Sequence, residues 1–98
     1  MENLPIWLKR RASKEILKTF VDESIQLFPS PCTDFVNEFE FAEEVISIAC
    51  DDFLTTDERN FLDEKYDEVY EFLHEQMKWN FGFELMEIYR NTCEENNS

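Results

Sequence analysis

Residues 55–82, TTDERNFLDEKYDEVYEFLHEQMKWNFG, decide how this chain is read. Thr55-Thr56-Asp57-Glu58 has capping-box spacing: the Thr55 hydroxyl can accept from the amide three residues on, and the Glu58 carboxylate can reach back to residue 55. A helix is therefore predicted from Thr56. Its apolar residues, Phe61, Leu62, Tyr66, Val69, Tyr70, Phe72, Leu73 and Met77, recur at helical spacing, while Asp57, Glu64, Asp67, Glu68, Glu71 and Glu75 fall on the opposite face. Asn80-Phe81-Gly82 supplies a stop, because glycine enters the left-handed region without a Cβ penalty. The helix is expected over 56–80, followed by a shorter one over 83–93, with residues 94–98 frayed.

Upstream, Ser30 caps and Pro31 opens a helix expected over 31–53. Its stripe is Phe35, Phe39, Ala42, Ile46, Ala49 and Phe53, and Phe41, Val45 and Ile48 widen it, so this helix is central or lies in an interface. A first helix is expected over 5–28, opened by Pro5 and stopped by Pro29-Ser30-Pro31. One glycine and three prolines in 98 residues leave little turn chemistry for a many-stranded sheet. The expectation is a single all-α domain over residues 1–98, a compact array of about four helices with short connections.

Charge is segregated along this frame. The net charge is −14, yet residues 1–18 carry Lys9, Arg10, Arg11, Lys14 and Lys18 against Glu2 and Glu15. The rest of the chain is a strong anion, which disfavours direct binding to nucleic acid or an anionic membrane and attracts basic proteins in a salt-dependent way. Residues 57–75 alone hold eight acidic groups against Arg59 and Lys65. Glu40, Glu43, Glu44 and Asp51 on the preceding helix extend this acidic ridge. Three cysteines, Cys32, Cys50 and Cys93, form no C-x-x-C pair. With an odd count and no apolar leader or membrane-length segment, the expectation is a reduced, intracellular (cytoplasmic) protein without a disulfide framework.

Catalytic patterns are sparse. Glu71-x-x-His74 has the spacing of half a di-metal site, but His74 is the only histidine, too few for that chemistry or for a nucleophile with its base. Asp51 to Glu58 lacks the glycine of a calcium loop and reads as a helix end followed by a cap. No enzyme, metal or cofactor is expected. Arg10-Arg11-Ala12-Ser13 fits a basophilic kinase, which makes Ser13 a candidate phosphorylation site whose phosphate would offset much of the basic end. Fifteen percent of the residues are aromatic, and Trp7, Phe41, Trp79, Phe81 and Phe83 lie off the main stripes or at expected helix ends, where aromatics can anchor a partner.

From Asp51-Asp52 through Arg59-Asn60-Phe61-Leu62-Asp63, and again from Val69 to Phe83 around Phe72-Leu73-His74-Glu75-Gln76-Met77, the sequence resembles the BART domain. That resemblance implies an all-helical effector or adaptor of an Arf-like small GTPase. Ala42 to Phe53 is similar to the amphipathic helices that dock on regulatory-subunit dimers of cyclic-AMP-dependent kinase, which would require that face to be free.

The residues themselves point to a non-catalytic interaction module for a basic protein partner. Asp57, Glu64, Glu68, Glu71 and Glu75 would supply attraction, and Trp79, Phe81 and Phe83 the desolvated anchor. The alternatives are an inhibitor that blocks the basic cleft of a nucleic-acid-binding enzyme, and a homodimer or larger assembly closed through the 31–53 helix.

Overall fold

The first expected helix is divided at Ala12-Ser13. The computed structural model describes the backbone of residues 6–97 and the side chains of residue 8 and residues 10–94, so the expected start at Pro5 and the Trp7 side chain lie outside the described residues. Helix α1 runs Ile6–Arg11 and α2 runs Lys14–Ile25. Ser13 has extended backbone and its hydroxyl accepts from the Ile16 amide at 3.4 Å, the action of an N-cap rather than of a mid-helix residue. The turn lets Leu8 fold back into the core, where it is fully buried.

The second expected helix is also divided. Its first turn is α3, Pro31–Asp34, and the long part is α4, Glu38–Phe53, capped by the Asn37 side chain accepting from Glu40 N at 2.9 Å. At the break, the Phe35 carbonyl accepts from the Tyr89 hydroxyl at 2.9 Å, so the lost helical geometry leaves that oxygen satisfied. Helix α4 is the centre of the fold, packed against α2 on one side and the last helix on the other. It buries two adjacent rows, Phe41, Val45, Ala49 and Phe53 beside Ala42, Ile46 and Cys50. The face expected for docking on a kinase regulatory dimer is thus inside the core. Phe39, placed on the stripe by periodicity, is 65% exposed, whereas Phe41 is fully buried.

The capping box at Thr55 forms in full and opens α5, Thr56–Leu62. A single 3₁₀ turn over Asp63–Lys65 follows, entered through Asp63 at φ 44°, a conformation few non-glycine residues adopt. Helix α6 then runs Tyr66–Asn97 without interruption. The expected stop at Gly82, the separate 83–93 helix and the frayed tail from 94 are therefore corrected. Gly82 stays helical with no positive φ. The reason is visible in the buried residues of α6: Val69, Leu73, Met77, Phe81, Leu85 and Tyr89 repeat every four residues through the glycine. A break there would take Leu85 and Tyr89 out of the core. At about 1.5 Å per residue this helix sets the long dimension of the molecule, which measures 49 × 21 × 18 Å. No strand occurs among the described residues, and the architecture is all-α.

Cys32 and Cys93 are joined by a disulfide, contrary to the expectation of three reduced cysteines. It ties α3 to the carboxy-terminal part of α6, beside the Tyr89–Phe35 hydrogen bond and an Arg90–Glu38 ion pair at 3.3 Å. The odd cysteine is Cys50, fully buried with its thiol 3.8 Å from the Met77 sulfur. Burial pushes that thiol up to about 12, which removes it as a nucleophile at neutral pH.

At the opposite end, Arg11 closes α1 onto α4 and α5. Its guanidinium donates to the Phe53 carbonyl at 2.6 Å and to Glu58 through both terminal nitrogens, and lies 4.6 Å from the Phe53 ring centre. The Arg11 hydrogen bonds hold the Glu58 carboxyl down, to about 2 from the usual 4.5, and the Thr55 amide adds to this. Because the folded-state value is the lower one, folding favours the ionised form. The contribution is complete above pH 4.5 and is lost as pH falls from there through about 2. Glu58→Gln keeps a side chain able to cap residue 55 but cannot ionise. Across that window its unfolding free energy should converge on that of the wild type, from a deficit on the order of 1 kcal/mol at pH 7. Equal pH slopes for the two proteins, followed by urea denaturation, would contradict the clamp.

Candidate functional site

Three adjacent rows, each rising four residues at a time, run along α6. The first is the buried row from Val69 to Tyr89. Beside it run Tyr70, His74, Lys78, Gly82 and Met86, and beyond those Asp67, Glu71, Glu75, Trp79 and Phe83. Slanted ridges of this kind are what one helix offers to another.

Asp67, Tyr70, Glu71, His74, Glu75, Lys78 and Trp79 line a shallow groove of about 580 Å³. A second groove of about 290 Å³ lies between α4 and α6, lined by Phe39, Ala42, Glu43, Ile46, His74, Lys78, Gly82 and Met86. A third depression of about 180 Å³ continues past Trp79 to Phe83 and Met86. His74, Lys78, Trp79, Gly82 and Met86 are shared between these hollows, so they form one surface. Trp79 is 81% exposed and Phe83 83% exposed.

The His74 Nε2 lies 3.8 Å from Glu43 Oε1 on α4, and its ring lies beside Tyr70. Burial raises the Tyr70 phenol above its usual range, against the lowering effect of its hydrogen bond with Ser47. No three His, Cys, Asp or Glu side chains converge on a metal-sized site among the described residues. No helix among the described residues is long and apolar enough to cross a membrane.

Of the residues expected to bind a partner, Glu71, Glu75 and Trp79 come together in the first groove, and Phe83 adjoins them. Phe81 does not: it is 2% exposed, part of the buried row, and its assignment as an exposed anchor is corrected. Phe41 is likewise core. Asp57 sits in the first turn of α5, where it faces the positive end of the helix dipole. Glu64 lies in the 3₁₀ turn, and Glu68 is on α6 outside the grooves. The expected ridge is thus broken in two at residues 63–65. Of the α4 wall of the site, the sequence reading placed Glu43 on the acidic ridge but missed Phe39 as an exposed wall residue, and it missed the part played by Gly82 and Met86. Their signal is the four-residue row itself, which continues through Gly82.

Four of the lysines and arginines are already engaged in ion pairs. Lys18 pairs with Asp22 and Glu84, Arg59 with Asp51, Arg90 with Glu38 and Arg11 with Glu58. Among the described residues, Asp67, Glu71 and Glu75 take part in no such ion pair. One of the two arginines of the kinase-like motif, Arg11, belongs to the α1–α5 clamp, and Ser13 is exposed as the cap of α2. Comparisons with protein-family models, curated proteins and solved structures return no match for this chain.

Proposed function

We propose that the chain is a non-catalytic interaction module that binds a basic protein partner along the outer face of α6. The observation that carries this reading is one row of side chains. Asp67, Glu71 and Glu75, unneutralised by ion pairs among the described residues, lead directly to the exposed Trp79 and Phe83. Like charges four residues apart on a helix cost a few tenths of a kcal/mol per pair. An arrangement that sustains this cost beside large exposed aromatics gains from a partner that brings the opposite charge. The acids steer the encounter and set its salt dependence, while burial of the rings supplies most of the affinity.

The test uses an 18-residue amphipathic helical peptide with leucine on one face and lysine on the other, titrated against the protein at rising salt. The combined substitution Asp67→Asn, Glu71→Gln and Glu75→Gln should weaken binding about tenfold and flatten the salt slope. The matched substitution Asp57→Asn, Glu64→Gln and Glu68→Gln removes the same charge away from the grooves and should change affinity less than about threefold. Equal losses from the two triple variants would mean that the peptide senses only the general field of the molecule, and this reading would fall.

A further inference from the structure

Gly82 lies in the interior of a 32-residue helix, where glycine is the least favourable residue after proline. Its backbone is helical, so no left-handed turn calls for it. Nor does packing within the chain. A Cβ built at this position has Lys78 Cγ, at 4.0 Å, as its nearest neighbour, which is ordinary contact distance with a flexible stem. Alanine would fit without displacing anything, and would be the better helix former.

Gly82 is itself buried, yet it lines two hollows that open outward, so its effect on the surface is as their shared floor. It is the missing side chain in the ridge Tyr70, His74, Lys78, Gly82 and Met86, and it joins the hollow between α4 and α6 to the hollow beside Trp79 and Phe83. Phe39, Trp79 and Phe83 stand exposed around it. A gap in one ridge flanked by large side chains is the shape that receives a side chain from a second helix.

We infer that Gly82 is a docking notch, which seats one large apolar side chain of a basic amphipathic helix from the partner protein. This inference rests on the reading of α6 as a binding face for a basic partner and specifies how that partner sits. Charge selects the occupant. The notch itself is lined by Glu43 on α4 and Lys78 on α6, and the groove that leads up to it along α6 is lined by Asp67, Glu71 and Glu75. A second copy of a chain of net charge −14 would bring the same acidic rim against its own. A helix with lysine or arginine flanking its apolar stripe meets both the rim and the notch.

A displayed library of 18-residue amphipathic helices, varied in charge and with one apolar anchor position randomised, is selected on the full chain. The enriched helices should be basic, with Leu, Met, Phe or Trp at the anchor. Gly82→Ala should weaken their binding several-fold and Gly82→Leu at least thirtyfold, while circular dichroism stays helical and the Tm of the alanine variant rises by a few degrees. A lower Tm for Gly82→Ala would show that the chain itself needs the glycine, and would overturn the notch. Helices that bind wild type and Gly82→Leu alike, yet still weaken with the Asp67, Glu71 and Glu75 triple substitution, would also overturn it and leave the acidic-face reading standing. Insensitivity to both sets would remove both proposals. Dimerisation in sedimentation that Gly82→Leu abolishes would replace the partner helix with a second copy, and the inference would be wrong as to occupant.

Discussion

Phe41→Ala should destabilise the protein by about 3–5 kcal/mol. Its ring is fully buried and stands edge-on to Phe28 and Phe35 at centroid distances of 6.4 and 5.6 Å, with Tyr89 tilted against it at 5.8 Å. One side chain thereby joins α4 to the α2–α3 connection, to the α3–α4 break and to α6. The substitution removes the transfer free energy of the ring and leaves a cavity that three other aromatics, each held by its own backbone element, cannot fill without moving. A domain of this size is stable by about 5–15 kcal/mol, so a large share of the reserve is at stake. Urea denaturation should show a large fall in midpoint with little change in slope. The comparison is Phe39→Ala, two residues away on the same helix. Phe39 is 65% exposed and its loss should stay within about 0.5 kcal/mol. Similar costs for the two, or the reverse order, would show that α4 is rotated from the orientation described.

The contrast between those phenylalanines marks where the sequence could be read and where it could not. Fold class was legible, because a near absence of glycine and proline bears on the whole chain at once. The Thr55 capping box was legible because both of its hydrogen bonds are local, and both form. Ser13 and Asn37 are cap residues too, but each stands inside an apolar periodicity that runs across it. Whether the backbone breaks there depends on Leu8 and Phe35 finding places in the core, which is a tertiary matter. At Gly82 the local preference and the long pattern disagree. The stop signal is one residue, whereas the row from Val69 to Tyr89 contributes six buried side chains, and the sum of their burial prevails. Within the site, the acidic row and Trp79 share one helix and could be found from spacing alone. Phe39 and Glu43 reach it from α4, a juxtaposition set by how two helices cross.

Reduction of the Cys32–Cys93 bond should lower stability by about 2–4 kcal/mol, toward the upper end because the bond closes a long loop. The two cysteines are 61 residues apart with Cα atoms 5.5 Å from each other, so the bond restricts most of the unfolded chain. In the native state the loss should be local. The bond shares the α3–α6 junction with the Tyr89–Phe35 hydrogen bond and the Arg90–Glu38 ion pair, and the latter helps to hold the Glu38 carboxyl below its usual range, after that residue's own backbone hydrogen bond. Neither contact alone fixes α3, which is a single turn. Hydrogen exchange in the reduced protein, or in a Cys32→Ser/Cys93→Ser variant, should therefore quicken around α3 and the last turns of α6. The α4–α6 amides near Cys50 and Met77 should change only by the drop in global stability. Thiol counting separates the alternatives cleanly. The oxidised protein should present no reactive thiol while folded and one in denaturant, since Cys50 is both buried and held up to about 12. Three thiols in denaturant without reductant, or unchanged stability on reduction, would mean that the junction is held by Tyr89 and Arg90 and that the pairing adds nothing to it. The grooves on α6 lie outside the junction, between Asp67 and Met86. The reduced chain should accordingly bind a basic helix as the oxidised one does, and a binding change that tracks the bond would place α3 within the recognition surface.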